Sequence, residues 1–333
     1  MNKRANHSFC VGYDNVIAGL KGVILADHSY IAFNATHNAI LGGAVHKIVV
    51  GDFSVIGGGY TNSILDGDYC VIVGGYLNTI NVPGGGNCTV GGSNTTVTGS
   101  AGTAFGNFNT VTGIGGLAIG VEASAADGAA IGNKVTASGV KSLATGNLMT
   151  ASGNYSRASG NNGTATADGA VSEGVLSHAT AAYATARGLQ AIARIAGQQA
   201  VANGAFAVAG DAQISDIVQR ATTTSATVGS MPGYLLNPAQ TVQYRVMVTA
   251  RDTATGNSAT WELKGAAKRI ASAAAVAVGS SFPAATLIAA DAGASGWACS
   301  ASASTNSVVL LLTGAAATTI RWVARFEVVE LGG

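Results

Sequence analysis

From residue 104 onward the chain repeats one short phrase, Ala-x-Gly or a near variant, at almost constant spacing. It reads AFG at 104–106, AIG at 118–120 and 130–132, ATG at 144–146, ASG at 158–160, SEG at 172–174 and ARG at 186–188. The closing glycines Gly106, Gly120, Gly132, Gly146, Gly160, Gly174 and Gly188 lie 14, 12, 14, 14, 14 and 14 residues apart. Upstream, Gly-Tyr-x-Asn-x-Ile occurs at Gly12–Ile17, Gly59–Ile64 and Gly75–Ile80, the last two copies 16 residues apart. Repetition therefore runs from about residue 12 to about residue 210, and its period shortens along the way. Fourteen extended residues make a path of roughly 46 Å, enough for two short strands and two tight turns. Such coils stacked through ladder hydrogen bonds make a parallel β-solenoid or β-roll. Glycine and asparagine at fixed offsets suit turn positions with positive φ.

Composition follows from that geometry. A thin coil has room only for small side chains, and glycine alone supplies 47 of the 333 residues. Charged residues are 10%, against roughly 25% in an ordinary domain, and net charge is +1. With 48% apolar residues the chain is not disordered, and without Gly at every third position it is not collagen. Near-neutral charge excludes a nucleic-acid partner, and no apolar run approaches the ~18 residues that insert in a membrane. A rung this small encloses little apolar volume. Stacking covers only one direction, so the outer apolar faces need partner chains, and a homotrimer is expected ahead of a monomeric β-helix.

The phrases from Ala104 to Gly188 resemble the head repeats of trimeric autotransporter adhesins, repeats that recur in bacteriophage tail fibres. The resemblance implies a left-handed parallel β-roll packed as a trimer. Met1–Cys10, MNKRANHSFC, lacks the apolar core of a secretory signal, and no sustained heptads follow the repeats. The segments VQYRVMVTARD, ATWELKG and TIRWVARFEVVE are similar to the β-sandwich domains that end many phage fibre proteins. These features favour the phage fibre over the surface adhesin: a virion component of the tail or fibre, assembled in the host cytoplasm.

Near residue 211 the repeat stops and charged and aromatic residues return. Val242, Tyr244, Val246 and Val248 alternate with polar residues, as in a half-buried strand. Ile320, Trp322, Ala324, Phe326 and Val328 share one face, with Arg321, Val323, Arg325 and Glu327 on the other. Val308–Leu312 reads as a buried strand, and 268–279 is compatible with a helix. An antiparallel β-sandwich is expected. The chain divides into 1–30, an N-terminal segment and first repeat that docks on another virion protein; 31–210, the solenoid shaft; and 211–333, a C-terminal β-sandwich that caps the solenoid or binds a receptor. The receptor-binding candidates are Trp297, Arg321 and Arg325. Trp297, among small residues in ASGWACS, either stacks on a sugar ring or packs in the core.

Few groups offer chemistry. Hydrolysis of a polysaccharide needs paired carboxylates, and the chain has 16 acidic residues. Asp66 and Asp68 are the closest pair in the repeats, but DGD reads first as a solvated turn; Asp127 and Asp168 fall in equivalent ADG turns. His28, His37 and His46 are spaced by nine and could meet a metal across a threefold axis, but His46 falls 16 residues before Asn62 and reads as a ladder residue. Cys10, Cys70, Cys88 and Cys299 have no metal spacing and read as buried free thiols. Gly113-Ile114-Gly115 lacks the helix of a dinucleotide site. The expectation is a trimeric phage tail fibre that attaches to a host envelope glycan or surface protein without catalysis, with no cofactor, no metal, no nucleic acid and no membrane insertion. The alternatives are a polysaccharide-degrading tailspike and a capsid fibre or decoration protein without a receptor role.

Overall fold

The computed structural model describes residues 3–4, 6–270, 273–279 and 281–332. It forms two compact units, Met1–Gly169 and Ala170–Gly333. The architecture is all-β; the helical content of the described residues is a single short 3₁₀ turn, Ala292–Ala294.

The first unit is a parallel β-solenoid. Each turn carries a longer strand, such as Thr103–Asn107, and a two-residue strand, such as Thr110–Val111. Each strand pairs in parallel with its equivalent in the next turn. Ala104 lies beside Ala118 and Gly106 beside Gly120, then Ala118 beside Ala130 and Gly120 beside Gly132, so the repeat phrase is the pairing register. The period of 12 keeps this register by shortening one corner. Five residues separate Val111 from Leu117, but only three separate Ala125 from Ala129.

Two rows of side chains fill the interior. One runs Ile24, Ile40, Ile56, Ile72, Val90, Ala104, Ala118, Ala130, Ala144, Ala158; the facing row runs from Ile17 through Ile80 to Val97, Val111 and then Ala125 to Ala165. All are buried. Replacing isoleucine by alanine on both walls thins the core. The spacing along the isoleucine rows is 14 to 17 residues, and along the alanine rows 12 or 14. The asparagine of the upstream phrase has a further task. Asn78 Nδ2 donates to the carbonyls of Gly74 (3.0 Å) and Gly92 (2.7 Å), while its Oδ1 accepts from Thr95 N–H (3.1 Å). Asn62 bridges its neighbouring turns in the same way.

The corners differ from expectation. Left-handed backbone is carried by His37 (φ 58), Phe53 (φ 56), Tyr69 (φ 54), Glu122 (φ 53), Lys134 (φ 52) and Leu148 (φ 53), not only by glycine and asparagine. Each corner amide bonds to the turn before it, as Glu122 N–H does to Asn107 O (2.9 Å) and Lys134 N–H to Val121 O (2.8 Å). Tertiary hydrogen bonding thus offsets the steric cost of that conformation.

The second unit opens with further turns of the same kind, from Val171–Val175 to Gln199–Asn203. Pairing then changes direction. Ala212–Thr223 runs antiparallel to Gln199–Asn203 and, on its other edge, to the final strand Ile320–Gly332. Gln240–Asp252, Ser258–Arg269 and Thr286–Ala290 continue this sheet. A three-stranded sheet of Gly229–Leu235, Ser307–Thr313 and Ala298–Ser304 packs against it. The expected sandwich is present, and Trp322, Phe326, Tyr234, Val246, Leu263 and Leu310 fill its core. In the 268–279 stretch, Lys268–Arg269 end a strand and Val276–Ala277 pair back onto it, so its described part is not helical; residues 271–272 lie outside the described residues. Of the N-terminal segment 1–30, residues 1, 2 and 5 lie outside the described residues; Phe9–Val11 already pairs with Val23–Leu25 as part of the coil.

A buried carboxylate ties the turns of the second unit to the sandwich. Glu330 accepts hydrogen bonds from Gln213 Nε2 (2.8 Å), Ser215 Oγ (2.5 Å), Tyr234 Oη, Gln240 Nε2 (2.5 Å) and Arg194 Nη2 (2.6 Å). Burial, then the Glu330 charge, pushes the Tyr234 hydroxyl well above its ordinary range, so it stays a donor.

Candidate functional site

The outer face of the larger sandwich sheet is built by strand alternation, which sends every second residue away from the core. Across it, Asp216 lies opposite Glu327, Glu327 opposite Arg245, and Arg245 opposite Lys264. Two residues along, Arg325 lies opposite Met247, and Met247 opposite Glu262. Of these, Asp216, Glu327, Arg245, Lys264 and Arg325 line a cleft of about 610 Å³ with Gln199, Val201, Ile214, Gln243 and Val329.

Arg325 organises the carboxylates. Its Nε donates to both oxygens of Asp216 (3.0 and 2.9 Å), its Nη2 contacts Asp216 Oδ2, and its Nη1 lies 3.4 Å from Glu327. Arg245 contacts Glu262 (2.5 Å) and Glu327 (3.7 Å), and Lys264 contacts Glu262 (3.0 Å). Lys264 and then Arg245 hold the Glu262 carboxyl below the usual carboxylate range, so Glu262 is a fixed anion. Asp216 raises the Arg325 guanidinium above its ordinary range. The side chains are one-third to two-thirds exposed except Glu262. Solvent screens ion pairs of that exposure, so an incoming ligand can replace them at little cost. The cleft therefore offers hydroxyl-bearing ligands both donors and acceptors, and sets two carboxylates side by side.

The sequence candidates separate. Arg325 is in this cleft. Arg321 lines a second, smaller hollow on the same face, with Arg251. Trp297 is a correction: it is buried, its ring 6.3 Å from that of Trp322, so it offers no face to a sugar and belongs to the core. Asp66 and Asp68 lie at the end of strand Ser63–Asp68, where Asp68 accepts the Asp52 N–H (2.7 Å) as part of the ladder. Asp127 and Asp168 likewise accept amides of the preceding turn, from Ile114 (2.8 Å) and Asn154 (2.9 Å). His46 stands in the asparagine ladder, its Nδ1 accepting from Asn62 N–H (3.2 Å), while His37 stacks on Phe53 and His28 lies edge-on to Tyr13. Among the described residues no cluster of three or more metal-ligating side chains occurs. Cys70, Cys88 and Cys299 are buried thiols, as expected, whereas Cys10 is only half-buried. Cys70 and Cys88 interact across neighbouring turns; the Cys70 hydrogen bond lowers the Cys88 thiol, and Cys70 itself is raised.

Sequence reasoning missed Asp216 and Glu327 as a pair. Glu327 was placed on the solvent face of its strand, but Asp216 sits in the junction ISDIVQR, and only the pairing of Ala212–Thr223 with Ile320–Gly332 joins them.

No protein-family model matches the chain, and no curated protein does. Among solved structures, similar chains include the tailspike protein gp49 of Acinetobacter baumannii bacteriophage Fri1, a capsular polysaccharide depolymerase, at 7% identity and a TM-score of 0.26, covering 92% of this chain and 70% of that one. The tailspike protein of Acinetobacter phage vB_ApiP_P1 is similar at 9% identity and a TM-score of 0.26, covering 98% and 81%. The expectation of a protein without catalysis is corrected here. The sheet face holds a carboxylate pair that the count of acidic residues did not reveal.

Proposed function

We propose that this chain is a bacteriophage tail protein of the tailspike kind, which binds a host-surface polysaccharide on its C-terminal sheet and hydrolyses it. The observation that carries this reading is the placement of Asp216 directly opposite Glu327 in the cleft, with Arg325 on both. Opposite residues on one sheet face have Cβ atoms about 4.5–5.5 Å apart, and glycoside hydrolysis takes two carboxyl groups flanking one bond. One of the pair protonates the glycosidic oxygen; the other attacks the sugar carbon or takes a proton from water. Arg325 orients Asp216 through its two-pronged contact. Capsular polysaccharide, the substrate of one tailspike described above, is the class to test first.

The working form in this reading is a homotrimer carried on a virion, with residues 1–30 as the attachment segment and the repeats as the shaft. One apolar surface favours it. In the first unit Phe105, Ile119 and Ile131 form an outward row, each about 36–37% exposed. Such a row marks a face that another chain covers.

The test is release of reducing ends from purified capsular polysaccharide. Asp216→Asn and Glu327→Gln are each expected to lower the rate by about 100-fold or more, with circular dichroism unchanged. Parent protein that releases none ends the hydrolytic reading; variants that cut at the parental rate end this assignment of the site.

A further inference from the structure

On the same sheet face, six residues before Glu327, two arginines lie directly opposite one another: Arg251 of Gln240–Asp252 and Arg321 of Ile320–Gly332. Like charges at that position destabilise a sheet. Elsewhere on this face Arg325 is matched by Asp216 and Glu327, and Arg245 and Lys264 by Glu262. Among the described residues neither Arg251 nor Arg321 forms an ion pair. Arg220, opposite Val323 and so one step diagonal from Arg321, adds a third exposed cation. The carboxylate next in sequence, Asp252, is turned inward, where Ala254 N–H and the amide and hydroxyl of Thr255 occupy it. The two arginines line a hollow of about 290 Å³ together with Thr249, Ala250, Thr253 and Val323.

We propose that this hollow binds the carboxylate of an acidic saccharide. Two planar guanidinium forks lining one hollow match a carboxylate, which each can hold through paired hydrogen bonds; Thr249 adds a hydroxyl for a neighbouring sugar, and the Thr253 hydroxyl, which donates to Thr319 O (3.2 Å), can accept from one. Arg321 and Glu327 are six residues apart on one strand, about 20 Å, so a chain of several sugars anchored at the hollow extends along the sheet to the Asp216–Glu327 cleft. The inference deepens the proposed function by naming the substrate class, an acidic rather than a neutral polysaccharide.

The experiment measures binding without turnover, so that it reports on the hollow and not on hydrolysis. Full-length protein carrying Asp216→Asn is titrated calorimetrically with oligogalacturonate, with maltohexaose as the neutral sugar and with inorganic phosphate as the free anion. Oligogalacturonate is expected to bind and maltohexaose not. Adding Arg251→Gln with Arg321→Gln weakens binding by roughly 10-fold or more for each arginine. Arg251→Glu, which gives Arg321 an opposite partner, abolishes binding while thermal stability is kept or raised, separating loss of the site from loss of the fold. No binding of oligogalacturonate, equal binding of maltohexaose, undiminished binding in the double arginine variant, or phosphate binding as tight as the oligosaccharide overturns the proposal. Absence of reducing-end release by the parent, by contrast, bears on the hydrolytic reading alone.

Discussion

At Gly120 the turns of the coil approach so closely that only hydrogen fits. A Cβ there would lie 1.9 Å from the Gly132 carbonyl oxygen, and its φ of +131° disfavours any side chain. Gly120→Ala is therefore expected to cost about 3 kcal/mol or more, read by urea unfolding; a loss below about 1 kcal/mol, typical of a surface change, would contradict the close approach. His46 makes a different prediction. Burial lowers its pKa, and its Nδ1 must stay unprotonated to accept the Asn62 amide. The folded protein then binds fewer protons than the unfolded chain, so stability is full above the unfolded histidine value near 6.5 and declines as pH falls below it, by at most about 1.4 kcal/mol per pH unit for one proton. His178, also lowered by burial, adds a loss in the same direction. His46→Asn restores the residue used at Asn62 and Asn78, and melting curves between pH 7.5 and 5 should then flatten by the His46 share. Parallel curves for parent and variant would sink this account.

At the scale of elements, the junction between the last turns and the sandwich depends on Glu330. Its five donors come from Arg194, Gln213, Ser215, Tyr234 and Gln240, which lie on different segments of the second unit. Removing the carboxylate leaves the Arg194 charge, only 12% exposed, without an anionic partner and with Gln240 Oε1 alone to accept from its Nη2. Glu330→Ala should destabilise the protein by about 3–5 kcal/mol, the usual result of breaking one side of a buried pair; denaturation curves within about 1 kcal/mol of the parent would show that the contacts are dispensable. Strand content was legible at this scale wherever alternation was clean. Val242 to Val248 and Ile320 to Val328 face the core as their spacing required. Trp297 was not legible, because a tryptophan among alanine, serine and glycine looks the same in sequence whether it caps a core or lies on the surface. Its burial comes from Trp322 and the sheet around it.

For the whole molecule, the outward apolar row of Phe105, Ile119 and Ile131 leads to an expected solution mass of three times 32.7 kDa by light scattering; a clean monomer would remove the need for partner chains. What the sequence determined is the coil. Its register is written in the spacing of Gly106 to Gly160, because parallel stacking repeats each position at a constant offset, and its thinning is written in the passage from Ile24 and Ile40 to Ala104 and Ala118. Periodicity is local information, so one chain suffices to read it. The site is not periodic. Asp216 and Arg325 are 109 residues apart, and nothing near either residue specifies the other. Arg321 could be placed on a solvent face, but its unmatched position opposite Arg251 could not. Only the antiparallel pairing of Ala212–Thr223, Ile320–Gly332 and Gln240–Asp252 brought these charges into one surface, because the partner of a strand is chosen by the packing of the sheet and not by the strand's own residues.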